Sequence, residues 1–358
     1  MPPHHRRQHR DSGPRRRTPV VLALLAVAAM LGSLLVGSSA DAARPGAFDN
    51  GRAYSGDFPD PSVIRAGSTY YAYSTNTSNL NLPTLASKDL VHWTAYGDSM
   101  PSPGSWTRQI RSGGRSITRT WAPSVTYVHG QSHGQGRFVL AYTAPIDAGG
   151  ARKNCIGLAS AAKPTGPFVD HGSHPVVCPS DQGAIDPQVY VAEDGHPYLI
   201  WKTEGIVGHA PTVFWSQRLR ADGTALADGT SPTSLLSTAL AWEGHVIENP
   251  TMIRVNGLIY LFYSANEYRT TSYAIGYAVC QSVLGPCVRP STAPLLATGG
   301  GIAGPGGPTP VLGPDGQLRL AYAAWDAGRV GYPRNQRRLH VARLAIDADG
   351  LLHVTDRG

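Results

Sequence analysis

Three carboxyl side chains, Asp60, Asp186 and Glu248, stand at or beside a proline in short phrases that recur along the chain. Carboxyl groups brought together shift one another's proton affinity, so such a set can do acid–base work. Five phrases share the pattern residue-Pro-x-apolar. They are Asp60-Pro61-Ser62-Val63, Ala122-Pro123-Ser124-Val125, Asp186-Pro187-Gln188-Val189, Asn249-Pro250-Thr251-Met252 and Gly307-Pro308-Thr309-Pro310. Their prolines advance by 62, 64, 63 and 58 residues. One Asp-Pro is ordinary turn chemistry. Three acids at equivalent places of a repeat point to a site.

The elements that must position these acids are strands. After each phrase come a turn and an apolar run: Tyr70–Tyr73, Phe138–Tyr142, Tyr198–Trp201, Tyr260–Tyr263 and Leu318–Tyr322. Asp194-Gly195, Asn256-Gly257, Asp315-Gly316 and Asp349-Gly350 are hairpin turn pairs. A second repeat places Ile156-Gly157-Leu158-Ala159 ahead of Gly166-Pro167, and Ile275-Gly276-Tyr277-Ala278 ahead of Gly285-Pro286, at the same offset. The 41 Gly and 29 Pro suit an all-β chain with many turns, and amphipathic helix patterns are absent after residue 42. The spacing predicts a five-bladed β-propeller with up to four strands per blade. Each phrase would begin the innermost strand of its blade, so acids far apart in sequence would meet at one mouth of the axial channel.

The net charge of +7 is uneven. The first 42 residues hold six Arg and two Asp; the rest hold 25 Lys and Arg against 22 Asp and Glu. A remainder this weakly basic argues against a nucleic-acid partner. Arg15-Arg16-Arg17, an apolar run from Val20 to Val36 and Ala40-Asp41-Ala42 read as a secretory signal peptide over 1–42, leaving 43–358 as a secreted catalytic domain with no stable membrane association. A membrane anchor is the alternative. All four cysteines lie in the exported part, where disulfides are permissible. Three connectivities are possible; the local pairing, Cys155–Cys178 with Cys280–Cys287, is the expectation. No CxxC and no His at ligand spacing near the cysteines supports a zinc site.

From about Phe58 to the C-terminus the chain resembles glycoside hydrolase family 43, the five-bladed arabinofuranosidases, xylosidases and arabinanases. The residues that carry the resemblance are Asp57-Phe58-Pro59-Asp60-Pro61-Ser62-Val63-Ile64, Trp121-Ala122-Pro123-Ser124-Val125, Ile185-Asp186-Pro187-Gln188-Val189 and Ile247-Glu248-Asn249-Pro250-Thr251-Met252. Each phrase alone is weak; four in order at blade spacing are specific. The resemblance implies an inverting glycosidase with Asp60 as general base, Glu248 as general acid and Asp186 tuning the acid and orienting substrate. Inversion needs the two carboxyls roughly 6.5–9.5 Å apart so that water fits between them. A free Glu titrates near ~4.3, so a neighbouring Asp186 is expected to hold the proton on Glu248.

One departure concerns the fifth phrase. Family members commonly carry a His after Gly-Pro-Gly, near a central cation; here Gly304-Pro305-Gly306 runs on to Gly307. A later His is replaced as well, in Tyr322-Ala323-Ala324-Trp325. No cofactor is therefore expected, and an axial cation is in doubt. Candidate substrate-binding residues are Trp121, at the offset from proline that Glu248 has, Phe58 and Asn76; the plain alternatives are a core Trp, a core Phe and a turn Asn. Arg334, Arg337 and Arg338 cluster in the last blade, where one of them could anchor sugar hydroxyls and hold Asp60 or Asp186. The Arg-rich stretch 108–119 reads as a surface loop, with a border of the cleft as the alternative, and His245 lies close ahead of Glu248.

The resemblance thus implies hydrolysis of plant cell-wall polysaccharide or oligosaccharide (arabinan, arabinoxylan or xylan), with α-L-arabinofuranosidase activity, exo-acting on arabinan, as the leading expectation. β-D-Xylosidase activity and a non-catalytic carbohydrate-binding propeller are the alternatives.

Overall fold

The computed structural model describes residues 53–130, 135–148, 151–206 and 209–358; the signal peptide expected over 1–42 lies outside them. Five of the six sheets formed by the described strands are blades around one axis. Blade one is β1 (Ser62–Ala66), β2 (Thr69–Tyr73), β3 (Pro83–Ser87) and β4 (Trp93–Asp98). A hairpin, β5 (Ile110–Ser112) and β6 (Arg115–Ile117), follows where the Arg-rich loop was expected. Blade two is β7 (Trp121–Val128), β8 (Arg137–Ala148) and β9 (Ala151–Ala161), with isolated outer bridges from Ser160 to Val169 and from Ile156 to Val177 in place of a fourth strand. Blade three is β10 (Ala184–Val191), β11 (Pro197–Thr203), β12 (Val213–Arg218) and β13 (Thr233–Ser237). Blade four is β14 (Ile247–Val255), β15 (Leu258–Ala265), β16 (Ala274–Cys280) and β17 (Cys287–Val288). Blade five is β18 (Ile302–Leu312), β19 (Leu318–Asp326), β20 (Arg338–Ile346) and β21 (Leu352–Asp356). All pairings within the blades are antiparallel and sequential. The five-bladed all-β ring predicted from the repeat is the fold of the chain.

The core is five seams, each shared by neighbouring blades. One buried cluster joins blades one and two, and others join two to three, three to four, four to five and five to one. This explains why the second strands read as unbroken apolar runs. Successive side chains of a strand point to opposite faces, and here both faces are buried. In β15, Ile259, Leu261 and Tyr263 enter the seam with blade three, while Tyr260 and Phe262 enter the seam with blade five.

The innermost strands carry the phrases, and their prolines line an axial channel of about 280 Å³. In all five phrases the residue before proline is left-handed: Asp60 (φ 51°), Ala122 (39°), Asp186 (55°), Asn249 (52°) and Gly307 (66°). Pairing register shifts across this point in blades two to five, as expected where proline withdraws an N–H from the ladder. The residue after proline usually stitches the ring. Ser62 Oγ accepts from Val125 N (3.2 Å), and Gln188 bonds both the N and the O of Met252 (2.6 and 3.0 Å). Thr251 Oγ1 donates to Pro308 O (2.7 Å) and Thr309 Oγ1 to Pro61 O (2.5 Å). Between blades two and three, Thr126 Oγ1 donates to Val189 O (2.6 Å). The last-to-first seam is reinforced by the segment before β1, where Ala53 N and Phe58 N donate to Leu339 O and Arg337 O. The disulfides are Cys155–Cys178 and Cys280–Cys287, the local pairing.

Gly307 is confined from two sides. Its φ is left-handed, and a Cβ there would lie 2.9 Å from Asp60 Cα. Gly307→Ala is expected to lower stability by on the order of 1–2 kcal/mol from the backbone alone, plus the cost of moving Asp60. Thermal unfolding measures the first effect, and turnover measures the second.

Candidate active site

The left-handed turn ahead of each proline carries its side chain to one mouth of the channel. There a cavity of about 500 Å³ is lined by Asp57, Asp60, Thr75, Asn76, Arg119, Trp121, Asp186, Glu248, Tyr268, Tyr332 and Arg337, among others. Five of the six sequence candidates thus meet: Asp60, Asp186, Glu248, Trp121 and Asn76. Phe58 does not join them. It is 1% exposed and packs among Val63, Tyr70, Leu85, Leu339 and Val341 in the seam between blades five and one. Its neighbours Asp57, Pro59 and Asp60 line the cavity, while Phe58 turns the other way into the seam. His245 is exposed and lies off the cavity lining.

The three carboxyls have different surroundings. Asp60 pairs with a cation: Arg337 Nη1 donates to Oδ1 (2.8 Å), and Thr75 Oγ1 donates to Oδ2 (2.7 Å). Thr75 in turn accepts from Ala122 N (2.9 Å), tying the carboxylate to blade two. Arg337 is the member of the arginine cluster that reaches the site; Arg338 pairs with Asp326 and Arg334 is exposed. The Arg337 guanidinium is 2% exposed, flanked by the rings of Tyr273 and Tyr268, and its charge is held firmly by Asp60. Among the described residues its Nε and Nη2 have no hydrogen-bond partner. Asp57 accepts from Arg337 N and Tyr332 OH (2.9 Å each), and burial pushes its carboxyl upward despite those bonds.

Glu248 contacts two side chains that sequence reasoning missed. Tyr273 OH lies 2.6 Å from Oε1 and 3.0 Å from Asn249 Oδ1, and Lys202 Nζ lies 3.3 Å from Oε2. Burial, then the Glu248 charge, hold the Tyr273 hydroxyl far above its usual range, so it stays neutral. Its single proton can go to Glu248 when that group is ionised. When Glu248 is protonated, Tyr273 can donate to Asn249 Oδ1 and accept from the carboxyl instead. Tyr273 therefore bonds Glu248 in either state.

Asp186 is the most deeply buried of the three, 7% exposed. Its N donates to Thr143 Oγ1 (3.1 Å), and its Oδ2 accepts from Asn249 N (2.9 Å). Burial raises its proton affinity most; the Lys202 charge and the Asn249 bond oppose this, and the Glu248 and Asp60 charges add to it. Asp186 is the carboxyl farthest from water, and its own proton affinity rises for that reason.

The place of the family's axial His was tested against the residues present. Gly307 N is bonded by Ser264 Oγ (2.8 Å), and Ser264 Oγ lies 3.1 Å from Asn249 Oδ1. A Cβ on Gly306 would overlap the Tyr273 ring. Among the described residues no group of three or more His, Cys, Asp and Glu could hold a metal. The surroundings do not fit a His-anchored cation.

A profile of Glycosyl hydrolases family 43 matches residues 53–352. The chain belongs to that family. It is a glycosidase, hydrolysing O-glycosyl bonds. It is similar to the extracellular endo-alpha-(1->5)-L-arabinanase 1 of Bacillus subtilis, 29% identical over 75% of this chain and 81% of that protein. It is also similar to the arabinoxylan arabinofuranohydrolase of the same organism, 29% identical over 66% of this chain and 46% of that protein. Among solved structures, a thermostable family-43 glycoside hydrolase superposes with a TM-score of 0.70 at 28% identity, covering 84% of this chain and 94% of that one.

Lys202 had a signal in the repeat. The residue after the second-strand aromatic is Ser74, Thr143, Ser264 or Ala323 in four blades and Lys202 in the third. Tyr273 had none, since it lies in an unrepeated stretch between β15 and β16. A group whose folded pKa is raised holds its proton more tightly in the native state. Stability then falls as pH climbs from the ordinary carboxyl range to the raised value. Asp186→Asn keeps the oxygen that Asn249 bonds and removes the charge. It is expected to flatten that loss, by about 1 kcal/mol for each pH unit of the window. Thermal unfolding of both proteins from pH 4 to 8 checks this, and parallel curves would refute it.

Proposed function

We propose that this family 43 enzyme hydrolyses α-L-arabinofuranosyl linkages of plant arabinan, with inversion and without a metal. One observation carries the reading: three carboxyls from three blades meet at one cavity, each in a different electrostatic setting. Asp60 is ion-paired with Arg337, and each of its oxygens retains a lone pair for a water. It takes the proton of the water that attacks the anomeric carbon. Glu248 gives its proton to the departing glycosidic oxygen as that bond breaks, and Tyr273 keeps the carboxyl in place throughout. Asp186 sits behind Asn249 and orients the pair. Trp121 lines the cavity and offers a face for sugar C–H groups.

The arabinofuranosyl assignment rests on relatives named for arabinan and arabinoxylan. The endo action in the name of the Bacillus subtilis arabinanase favours cleavage inside the chain over the single-residue release expected from sequence. Export fits the extracellular naming of that relative and the two disulfides. No helix among the described residues is long and apolar enough to cross a membrane.

Hydrolysis of linear arabinan and of 4-nitrophenyl α-L-arabinofuranoside beside the β-D-xyloside, followed by proton NMR, tests the reading. The expected result is a ladder of arabino-oligosaccharides whose new reducing ends first appear as the β anomer. Release of the α anomer, or preference for the xyloside, would overturn it. Asp60→Asn and Glu248→Gln keep the shapes of their side chains and should each remove nearly all turnover of arabinan. With an activated aryl leaving group, Glu248→Gln should lose far less than Asp60→Asn, and equal losses would contradict the acid role. A chelator is expected to leave turnover unchanged, because Gly307 stands where a cation's His would be.

A further inference from the structure

One charged side chain in the cavity wall breaks the ring's internal pattern. At three junctions a hydroxyl from one blade accepts the N–H of the next blade's pre-proline residue. Thr75 takes Ala122 N (2.9 Å), Thr143 takes Asp186 N (3.1 Å) and Ser264 takes Gly307 N (2.8 Å). Between blades three and four the same N–H, that of Asn249, is taken by the Asp186 carboxylate (2.9 Å). Lys202 stands at the place that the hydroxyl residues Thr143 and Ser264 hold in blades two and four. It is 2% exposed, pairs in register with Ile185 beside Asp186, and reaches Glu248.

An ammonium this deeply buried costs several kcal/mol unless carboxylates offset it. The other charges around it are already matched: Asp60 pairs with Arg337, Tyr273 is neutral, and Asp57 bonds Tyr332 and the Arg337 backbone. Lys202 therefore faces two carboxyls, Asp186 and Glu248, as a single positive charge. A trio with both carboxyls ionised carries one net negative charge, and a trio with both protonated carries one net positive charge. In a site of low dielectric the neutral trio, with one proton on the pair, is favoured over either.

We propose that Lys202 is a positioning residue that sets the proton count of the Asp186–Glu248 pair at one, so that a single proton stays on the pair for delivery through Glu248. The proposal rests on the roles given above to those two carboxyls. Its consequence is regulatory for the pH range of the enzyme: the ammonium, and not carboxyl repulsion alone, decides where the pair loads and loses its catalytic proton. The Lys202 charge opposes the upward pull of burial on Asp186, the direction this requires.

Lys202→Met removes the charge with little change in volume. Carbon-13 NMR titration of labelled Asp and Glu side chains, assigned with Asp186→Asn and Glu248→Gln, reads the proton count without reference to turnover. In Lys202→Met the pair is expected to take up its second proton at least about one pH unit higher than in the native chain, a tenfold gain in proton affinity. The alkaline limb of kcat/KM should move the same way, and Lys202→Arg should restore both. A Lys202→Met titration that overlays the native one would overturn the proposal. If Lys202→Met does not fold, the double variant Lys202→Met/Asp186→Asn decides, because the ammonium and one carboxyl leave together. Recovery of folding is expected; a double variant no more stable than Lys202→Met would overturn the charge balance and leave only packing. Turnover by Glu248→Gln at the native rate would instead unseat the catalytic reading, while the titration still answers for Lys202.

Discussion

The left-handed residue ahead of each proline is the constraint on which the rest depends. A pre-proline residue ordinarily prefers extended backbone, and a non-glycine residue on the left-handed side costs roughly 1–2 kcal/mol. Four of the five positions here are not glycine. The conformation is held because the neighbouring blade over-determines it: hydroxyls grip the N–H groups of Ala122, Asp186 and Gly307, and Asp186 grips that of Asn249. The same backbone kink that interrupts the ladder delivers Asp60, Asp186 and Glu248 to one cavity. Strain, ring closure and site geometry are one arrangement seen at three scales.

That arrangement also explains how so much charge is tolerated at the centre of a protein. Both buried cations beside the cavity have a buried or half-buried carboxyl against them: Arg337 with Asp60, and Lys202 with Glu248 and Asp186. Aromatic rings fill the gaps, and Tyr273 touches both groups, lying under Arg337 and bonding Glu248. Gly306 and Gly307 are small because Tyr273 and Asp60 occupy the space their side chains would need. The absent His of the fifth phrase is thus tied to the packing of the other groups, and it is not a gap in the wall.

Much of this was legible in the chain because a propeller repeats itself. Equal spacing of five phrases defined the blades, the offset from proline defined the innermost strands, and the acids at that offset defined a meeting point. Reading failed where a residue's role depends on which face it presents. Phe58 lies between two cavity-lining acids in sequence, yet its side chain belongs to the seam with blade five. The Arg-rich stretch, a surface loop or cleft border from sequence, pairs as a hairpin and leads Arg119 to the cavity. Of three clustered arginines, only the fold selects Arg337.

The sequence by itself determined the number of blades, the order of their strands, the family and the carboxyls at the axis. Those properties follow from local pattern, since strand period, turn chemistry and proline spacing act over a few residues and are written again in each repeat. The tertiary structure alone decided which charges neutralise one another and which carboxyl is driven toward its protonated form. Those are properties of distance and burial between residues tens to hundreds of positions apart. Lys202 and Glu248, or Arg337 and Asp60, meet only when the ring has closed.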